Sequence, residues 1–568
     1  MIDRIGYLIF VHGVFVLLGW GAVSLQLIKG DFYLQKAENN YIRLLPLPAE
    51  RGTVYDRNGE VLVRDTPEFE ISMIPGEVKN KQYVFDIVSR ITGTPPEAVM
   101  RTYRKNYLYP FAYTPLVQHI TKAQGMRFEE LALAGVFVTT RWKRYYLYPF
   151  STTHVLGYVK EMQESVSKLK KYGFSPGTRV GYTGVEQQYD EYLRGQEGGL
   201  QVEVDSRGRT MNFLGRKAPE RGKDIYLTID KNMQESAYNA LQGHQGSLIF
   251  MDVRTGEVLA LVNQPSFNNN DFIEGKNISE LFVDERKPLL NRALQGEFPP
   301  GSIFKIVTAA AALSENKITP ATTHECLGYF NLGNAISKCW TTHGVVNLYD
   351  ALKVSCNVYF WNVAMMLNKE PIIKWARIFG YGKTTGIDIP NEKKGTVPSR
   401  AWKQAMLHED WYGGDTLNLA IGQGFLQVTP LQGLEMISIV ARNGMSVVPY
   451  LVKRIDDIQM KHESSEKIPL AEEHLAAIKV GLRKVVNEEH GTAHSLSVLD
   501  LKLAGKTGTA QVPPKAPHGW FVGYFPYDAP QYSIIVFLEH GSAGAEAVKV
   551  GYNFLKELTE KGWLKGSS

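Results

Sequence analysis

The chain is 568 residues long, an expectation of roughly three to four domains. Its 63 Lys+Arg against 58 Asp+Glu leave a formal charge of +5, too small an excess for a nucleic-acid binder with its basic residues gathered on one face. With 21% charged and 44% hydrophobic residues it is neither disordered nor collagen-like, and three cysteines cannot all pair within the chain.

Residues 5–28 carry no formal charge, and as a helix they would span roughly 36 Å against a hydrocarbon core of about 30 Å. Asp3 and Arg4 flank the stretch on one side, Lys29, Asp31 and Lys36 on the other. It is longer than the apolar region of a signal peptide and no small-residue cleavage site precedes Lys29, so it reads as an uncleaved transmembrane anchor behind a cytoplasmic tail of residues 1–4. His12, Gly13, Gly19 and Gly21 either line a face that packs on another membrane helix or face lipid. The basic residues (Arg4 before, Lys29, Lys36 and Arg43 after) do not by themselves place the C-terminal part outside.

Residues 51–59 read as strand, turn, strand, with Asn58-Gly59 suited to a tight hairpin. Short strands and amphipathic helices fill 60–220 without a repeat; 195–199 and 216–223 read as loops. The aromatic run 145–150 reads as packing. A strand is expected at 224–230, a hairpin of Gly246–Asp252 with 258–262, and further strands at 520–525 and Tyr532–Leu538, with helices between. Strands at both ends of a helical insert predict one α/β domain over 221–568 whose sheet joins distant sequence.

Pro299-Pro300-Gly301-Ser302-Ile303-Phe304-Lys305 is the most informative stretch. The prolines stop any preceding helix, Gly301 permits a sharp turn, and a helix apolar nearly all round follows from Ser302. A lysine buried in its first turn needs a reason, because unpaired buried charge is costly. Ser302 and Lys305, three apart, share a face; free N–H groups at the helix start favour developing negative charge on the serine. The amine can take the hydroxyl proton if burial lowers its pKa by roughly three units.

Ser165/Lys168, Ser167/Lys170 and Ser464/Lys467 repeat the spacing in charged, surface-like stretches. Only Ser302 has the Pro-Pro-Gly entry and the apolar helix behind it; Ser355-Cys356-Asn357 follows 53 residues on and Lys506-Thr507-Gly508-Thr509 204 residues on, where Gly508 is expected to let a substrate backbone approach a strand edge. Ser-x-x-Lys, Ser-x-Asn and Lys-Thr-Gly in that order form the motif set of penicillin-binding proteins and serine β-lactamases.

The chain beyond the anchor resembles class B penicillin-binding proteins in Arg51-Gly52 with Asp56-Arg57-Asn58-Gly59, Gly184-Val185-Glu186, Asn291-Arg292-Ala293 and Gly422-Gln423-Gly424. It is most similar to the elongation-type transpeptidases in His154-Val155-Leu156-Gly157-Tyr158, Arg400-Ala401-Trp402-Lys403 and Trp411-Tyr412-Gly413-Gly414-Asp415. The resemblance implies a sheet flanked by helices (an α/β transpeptidase domain) on an elongated α+β pedestal, residues 29–220, with one N-terminal membrane helix. It implies a serine-type D-Ala-D-Ala transpeptidase that cross-links peptidoglycan stem peptides, with β-lactams as covalent inhibitors. Ser302 would be the nucleophile and Lys305 the base; Ser355 and Lys506 would relay the proton, and Asn357 would hold the acyl peptide amide. Thr507 and Thr509 with Lys506 would bind the substrate carboxylate, and the N–H groups of Ser302 and Thr509 would form the oxyanion hole. Wall substrate puts the catalytic domain in the periplasm, anchored in the bacterial inner membrane. With no glycosyltransferase sequence in 29–220, strand polymerisation falls to a membrane partner, by resemblance a SEDS-family glycosyltransferase.

The cysteines form Cys326-x12-Cys339-x3-His343-x12-Cys356, with Cys356 inside the Ser-x-Asn motif. Three thiols and an imidazole make a tetrahedral zinc set, with His324 as a substitute for His343; a disulfide or three inert thiols are the alternatives. No organic cofactor is expected. Two other functions compete: a β-lactamase or β-lactam sensor on the same fold, and a scaffold for wall enzymes.

Overall fold

The structure, a computed structural model, describes residues 2–30, 42–107, 110, 113–162, 178–204, 210–461 and 465–564. Ser165/Lys168, Ser167/Lys170, Ser464, Asp31 and Lys36 lie outside these residues. The uncharged stretch forms a helix, α1 (Ile2–Val23), that ends in a π turn at Ser24–Ile28. Ile5–Leu27 is long and apolar enough to cross a membrane, and none of its apolar window is buried among the described residues.

Past the anchor, β1 (Val54–Tyr55) turns at Gly59 (φ +90°) into the long β2 (Val61–Met73). One edge of β2 pairs first with β1 and then with β3 (Thr114–Ile120); its other edge pairs along its whole length with β4 (Val136–Tyr146). β1 also lies parallel to β5 (Ile225–Leu227), and β5 pairs with the strand Val452–Ile455. One sheet therefore runs across residue 220 and ties the pedestal to the catalytic part through backbone hydrogen bonds. The strand expected over 224–230 is confined to β5, and 216–217, expected as loop, close the strand Thr210–Lys217.

The same junction holds a buried ion cluster. Glu186, fully buried, accepts from Arg51 Nε and Arg144 Nε at 2.7 Å each, while Arg144 also reaches Gly52 O at 2.7 Å. Burial raises the Glu186 carboxyl, and Arg144 and Arg51 more than offset it, holding the group below its usual value. The separate sequence signatures at 51–52 and 184–186 are thus two halves of one structural joint.

Beyond it, β6 (Gly246–Asp252), β7 (Val258–Gln264), β8 (Ala504–Val512), β9 (Lys515–Phe525) and β10 (Tyr532–Leu538) form an antiparallel sheet in the order β7-β6-β10-β9-β8. Its central strands are apolar on both faces: Leu248 and Phe250 point into one core, Ile249 and Met251 into the other. The helix α2 (Lys305–Ser314) lies in the larger core, with its residues from Lys305 to Leu313 buried. With it pack α3 (Asn357–Leu367) and the wholly buried α4 (Pro430–Ala441), whereas α5 (Gly544–Glu560) covers the opposite face. The expected α/β domain is present, its sheet built from residues almost 300 apart in sequence.

Candidate active site

Ser302 stands in a 3-10 turn, Gly301–Phe304, and the α-helix begins only at Lys305. The expectation of an α-helix from Ser302 is corrected accordingly: a 3-10 turn repeats every three residues, so Ser302 and Lys305 eclipse. The turn is pinned on three sides. Gly301 N donates to Gly422 O at 2.8 Å, and Trp520 Nε1 donates to Pro299 O at 3.0 Å. Gly301 has φ +56°, and a Cβ there would lie 2.7 Å from Thr509 O. Gly508 faces the same turn: its Cβ would stand 3.0 Å from Pro300 O and 3.1 Å from Ile303 Cγ2. The absent side chain at Gly508 lets β8 seat directly on the Pro-Pro-Gly entry.

Behind Ser302, Lys305 is fully buried. Its Nζ donates to Ser355 O and to Asn357 Oδ1 at 2.7 Å each and lies 3.3 Å from Ser355 Oγ. The two short donor bonds account for both N–H groups of a neutral amine, with Ser355 Oγ as its third neighbour. Burial pushes Lys305 down to about 8, with Cys356 and Cys339 pulling weakly the other way. Lys506, also fully buried, donates to Ser355 Oγ and Thr507 O at 2.9 Å each; burial, then the charge of Lys305, holds it well below the usual lysine range. The structure thus brings Lys305, Ser355, Asn357 and Lys506 into one network, anchored by the lysine that closes the Ser302 turn.

The threonines of β8 are partnered by residues that no motif marked. Thr507 Oγ1 donates to Thr492 Oγ1 at 2.6 Å, and Thr509 Oγ1 accepts from Gly544 N, at the start of α5, at 3.1 Å. Thr509 keeps its own proton to donate. Thr492 sits in a turn after Gly491 and Gly544 opens a helix; neither carries a local pattern that announces the contact.

The donor atoms of Cys326, Cys339, His343 and Cys356 lie within 4.8 Å of one another. Nδ1 of His343 stands 3.4 Å from Cys326 Sγ and 3.7 Å from Cys339 Sγ. Ligands about 2.1–2.3 Å from a tetrahedral zinc are roughly 3.5–3.8 Å apart, close to these two separations. Hydrogen bonds from Cys356 and from the Asn357 and Val358 N–H groups lower the Cys339 thiol, despite its burial, and burial keeps His343 neutral; both changes suit ligation. All three cysteines are free thiols in the structure. His324 is not in the cluster; its ring lies edge-on to Tyr359.

A serine one 3-10 turn before a buried amine, with a hydroxyl and a second buried amine from the edge strand of an antiparallel sheet on that amine, makes a set of groups suited to serine acyl transfer. Residues 246–560 match the family model of the penicillin binding protein transpeptidase domain, and 46–227 that of the penicillin-binding protein dimerisation domain. The chain belongs to the penicillin-binding protein transpeptidase family. It is 33% identical over 560 residues to the peptidoglycan D,D-transpeptidase MrdA of Acinetobacter baumannii, covering 93% of this chain and 83% of that one. It is likewise 33% identical to MrdA of Escherichia coli K12, covering 92% and 88%. Among solved structures, PBP2 in its complex with MreC from Helicobacter pylori matches with a TM-score of 0.82 at 30% identity, over 92% of this chain and all of that one. A peptidoglycan synthase complex matches at 0.74 and 30% identity, over 100% and 99%.

Proposed function

We infer that the protein is a peptidoglycan D,D-transpeptidase of the elongation type. Ser302 attacks the carbonyl between the two terminal D-Ala residues of a stem peptide, its proton passing to Lys305 Nζ. The C–N bond breaks, and the terminal D-Ala leaves with a proton relayed by Ser355 Oγ from the lysine pair. An amine of a second stem peptide then displaces Ser302 from the acyl-enzyme and forms the cross-link. Asn357 would orient the acyl peptide, Thr507 and Thr509 with Lys506 would hold the carboxylate, and the N–H groups of Ser302 and Thr509 would stabilise the oxyanion.

The observation that carries the reading is the lysine pair meeting on Ser355 Oγ, at 3.3 Å and 2.9 Å, behind a serine turn seated against β8. The assignment is supported by relatives named peptidoglycan D,D-transpeptidase. We place α1 in the inner membrane, with residues 29–568 in the periplasm; the apolar span and the wall substrate support that reading. A membrane glycosyltransferase of the SEDS family is the proposed polymerising partner, and the matched synthase complex supports that pairing.

Zinc is the proposed metal for Cys326, Cys339, His343 and Cys356. When bound it would supply a structural cross-link between the 326–343 segment and the turn carrying Ser355 and Asn357.

Mass spectrometry after penicillin treatment tests the function. The expected result is one long-lived adduct on the peptide containing Ser302; no adduct there, or rapid hydrolysis of a chromogenic β-lactam, overturns it, the latter in favour of a β-lactamase.

A further inference from the structure

Ser355 has φ +55°, a left-handed backbone that a residue with a Cβ keeps only where its surroundings impose it. Both flanks of that strained residue are held by one dipeptide. On the N-terminal side the indole N–H of Trp340 donates to Val354 O at 3.1 Å. On the C-terminal side Cys339 Sγ accepts from Asn357 N at 3.3 Å. Cys339 has a further duty in the thiol–imidazole cluster. Trp340 has no such duty: it is 63% exposed and meets His343 only edge-on, with ring centroids 5.0 Å apart. A large ring left in solvent contributes little to the core, so its bond onto the carbonyl next to Ser355 stands out as its structural contribution.

We propose that Trp340 is a positioning residue for the acyl-transfer reaction: its indole N–H fixes the Val354 carbonyl and so keeps Ser355 in the left-handed turn from which Oγ meets both lysines. The inference rests on the reading of Ser302 as the acylated nucleophile. Release of the Val354 peptide lets Ser355 relax toward ordinary backbone angles, which swings Oγ away from Lys506. The bond lies on the Ser355 side of the turn, so its loss should fall on the proton relay through Ser355 Oγ.

The test uses the full chain in detergent and the variant Trp340→Phe, which keeps an aromatic ring beside His343 and lacks the N–H. Acylation by a fluorescent penicillin is followed over a range of concentrations, alongside Tm and zinc per chain. The expected result is a limiting acylation rate about tenfold lower (about 1.4 kcal/mol on the barrier), with the half-saturating concentration, Tm and metal content unchanged. An unchanged limiting rate overturns the proposal. So does a lower rate accompanied by lost metal or a lower Tm, since the ring would then act through the cluster or the fold. Failure of the parent chain itself to acylate on Ser302 removes the underlying reading instead, so the two failures are distinct.

Discussion

Lys305 and Lys506 converge on a single hydroxyl, their Nζ atoms 3.3 Å and 2.9 Å from Ser355 Oγ. Two ammonium groups so close and so buried oppose each other's charge, and burial opposes both. Lys305 has two strong acceptors, Ser355 O and Asn357 Oδ1, and Lys506 has Thr507 O. The arrangement satisfies amines as well as it satisfies cations, and this is what allows a lysine to serve as a base near neutral pH.

The acylation rate should therefore follow deprotonation of Lys305. Burial lowers this lysine to about 8, so the competent neutral form is a minority of about one in ten at pH 7 and dominates above about pH 9. The rate constant for β-lactam acylation should rise nearly tenfold per unit below pH 8 and level off above it. A stopped-flow profile from pH 6 to 9.5 reads this directly, and a flat profile would contradict the assignment of the base.

Asn357→Asp should move that profile to higher pH. Asn357 Oδ1 is 2.7 Å from Lys305 Nζ, and a carboxylate there would favour the ammonium form. The lysine pKa rises, so acylation at pH 7 should fall about tenfold or more and recover part of its rate by pH 9.5. Equal loss at every pH would mean instead that Asn357 acts only by holding substrate.

Gly422→Ala should disable Ser302 from a distance. Gly422 has φ +72°, its carbonyl holds Gly301 N–H, and a Cβ would stand 2.2 Å from Gly301 O. The strained backbone costs about 1–3 kcal/mol, and the displaced Gly301 shifts the serine turn off β8. Acylation should drop by at least tenfold, read by fluorescent-penicillin labelling, while circular dichroism keeps its folded signature.

The legible part of this molecule is the part encoded locally. Pro-Pro-Gly, an apolar helix with one lysine, and strands apolar on both faces announce themselves by spacing, and so do the four metal-type ligands. The contacts that complete the site do not. Thr492 reaches Thr507, Trp340 reaches Val354, and Gly544 reaches Thr509 through turns and helix starts brought together by the sheet. Gly508 shows how one residue supports two readings: a glycine in a strand means close approach, but sequence does not say of what. The 3-10 turn at Ser302 was equally hidden, because the sequence spacing suits one turn of either helix type.

Glu186→Gln should loosen the joint between pedestal and catalytic part. Glu186 is fully buried between Arg51 and Arg144, and removing its charge leaves two buried guanidinium groups partly uncompensated. Breaking such a buried pair costs about 3–5 kcal/mol. In the parent chain the Glu186 pKa is depressed, so the stability it contributes is present above the unfolded value of about 4.3 and is lost as pH falls below it. The variant should therefore show a lower Tm at pH 7 and a smaller difference between pH 7 and pH 4 than the parent, both measured by thermal denaturation.

Metal removal should act on Ser355 and Asn357 rather than on Ser302. Cys356 lies between those two residues, and Cys339 Sγ accepts the Asn357 N–H at 3.3 Å. A zinc ion on the four ligands would hold that turn from behind; without it, the thiols and the imidazole keep only weak contacts to one another and to the backbone at Thr341, Asn357 and Tyr359. Purified protein should contain about one zinc per chain by elemental analysis, the stoichiometry of a four-ligand structural site. Stripping it with a strong chelator should lower both Tm and the limiting rate of β-lactam acylation, and readded zinc should restore both, since binding and folding of such sites are coupled. Cys326→Ser, which alters a ligand that contacts neither lysine, should lower zinc content and acylation together. A chain that carries no zinc and acylates at full rate would show that the four side chains hold the turn by hydrogen bonds alone.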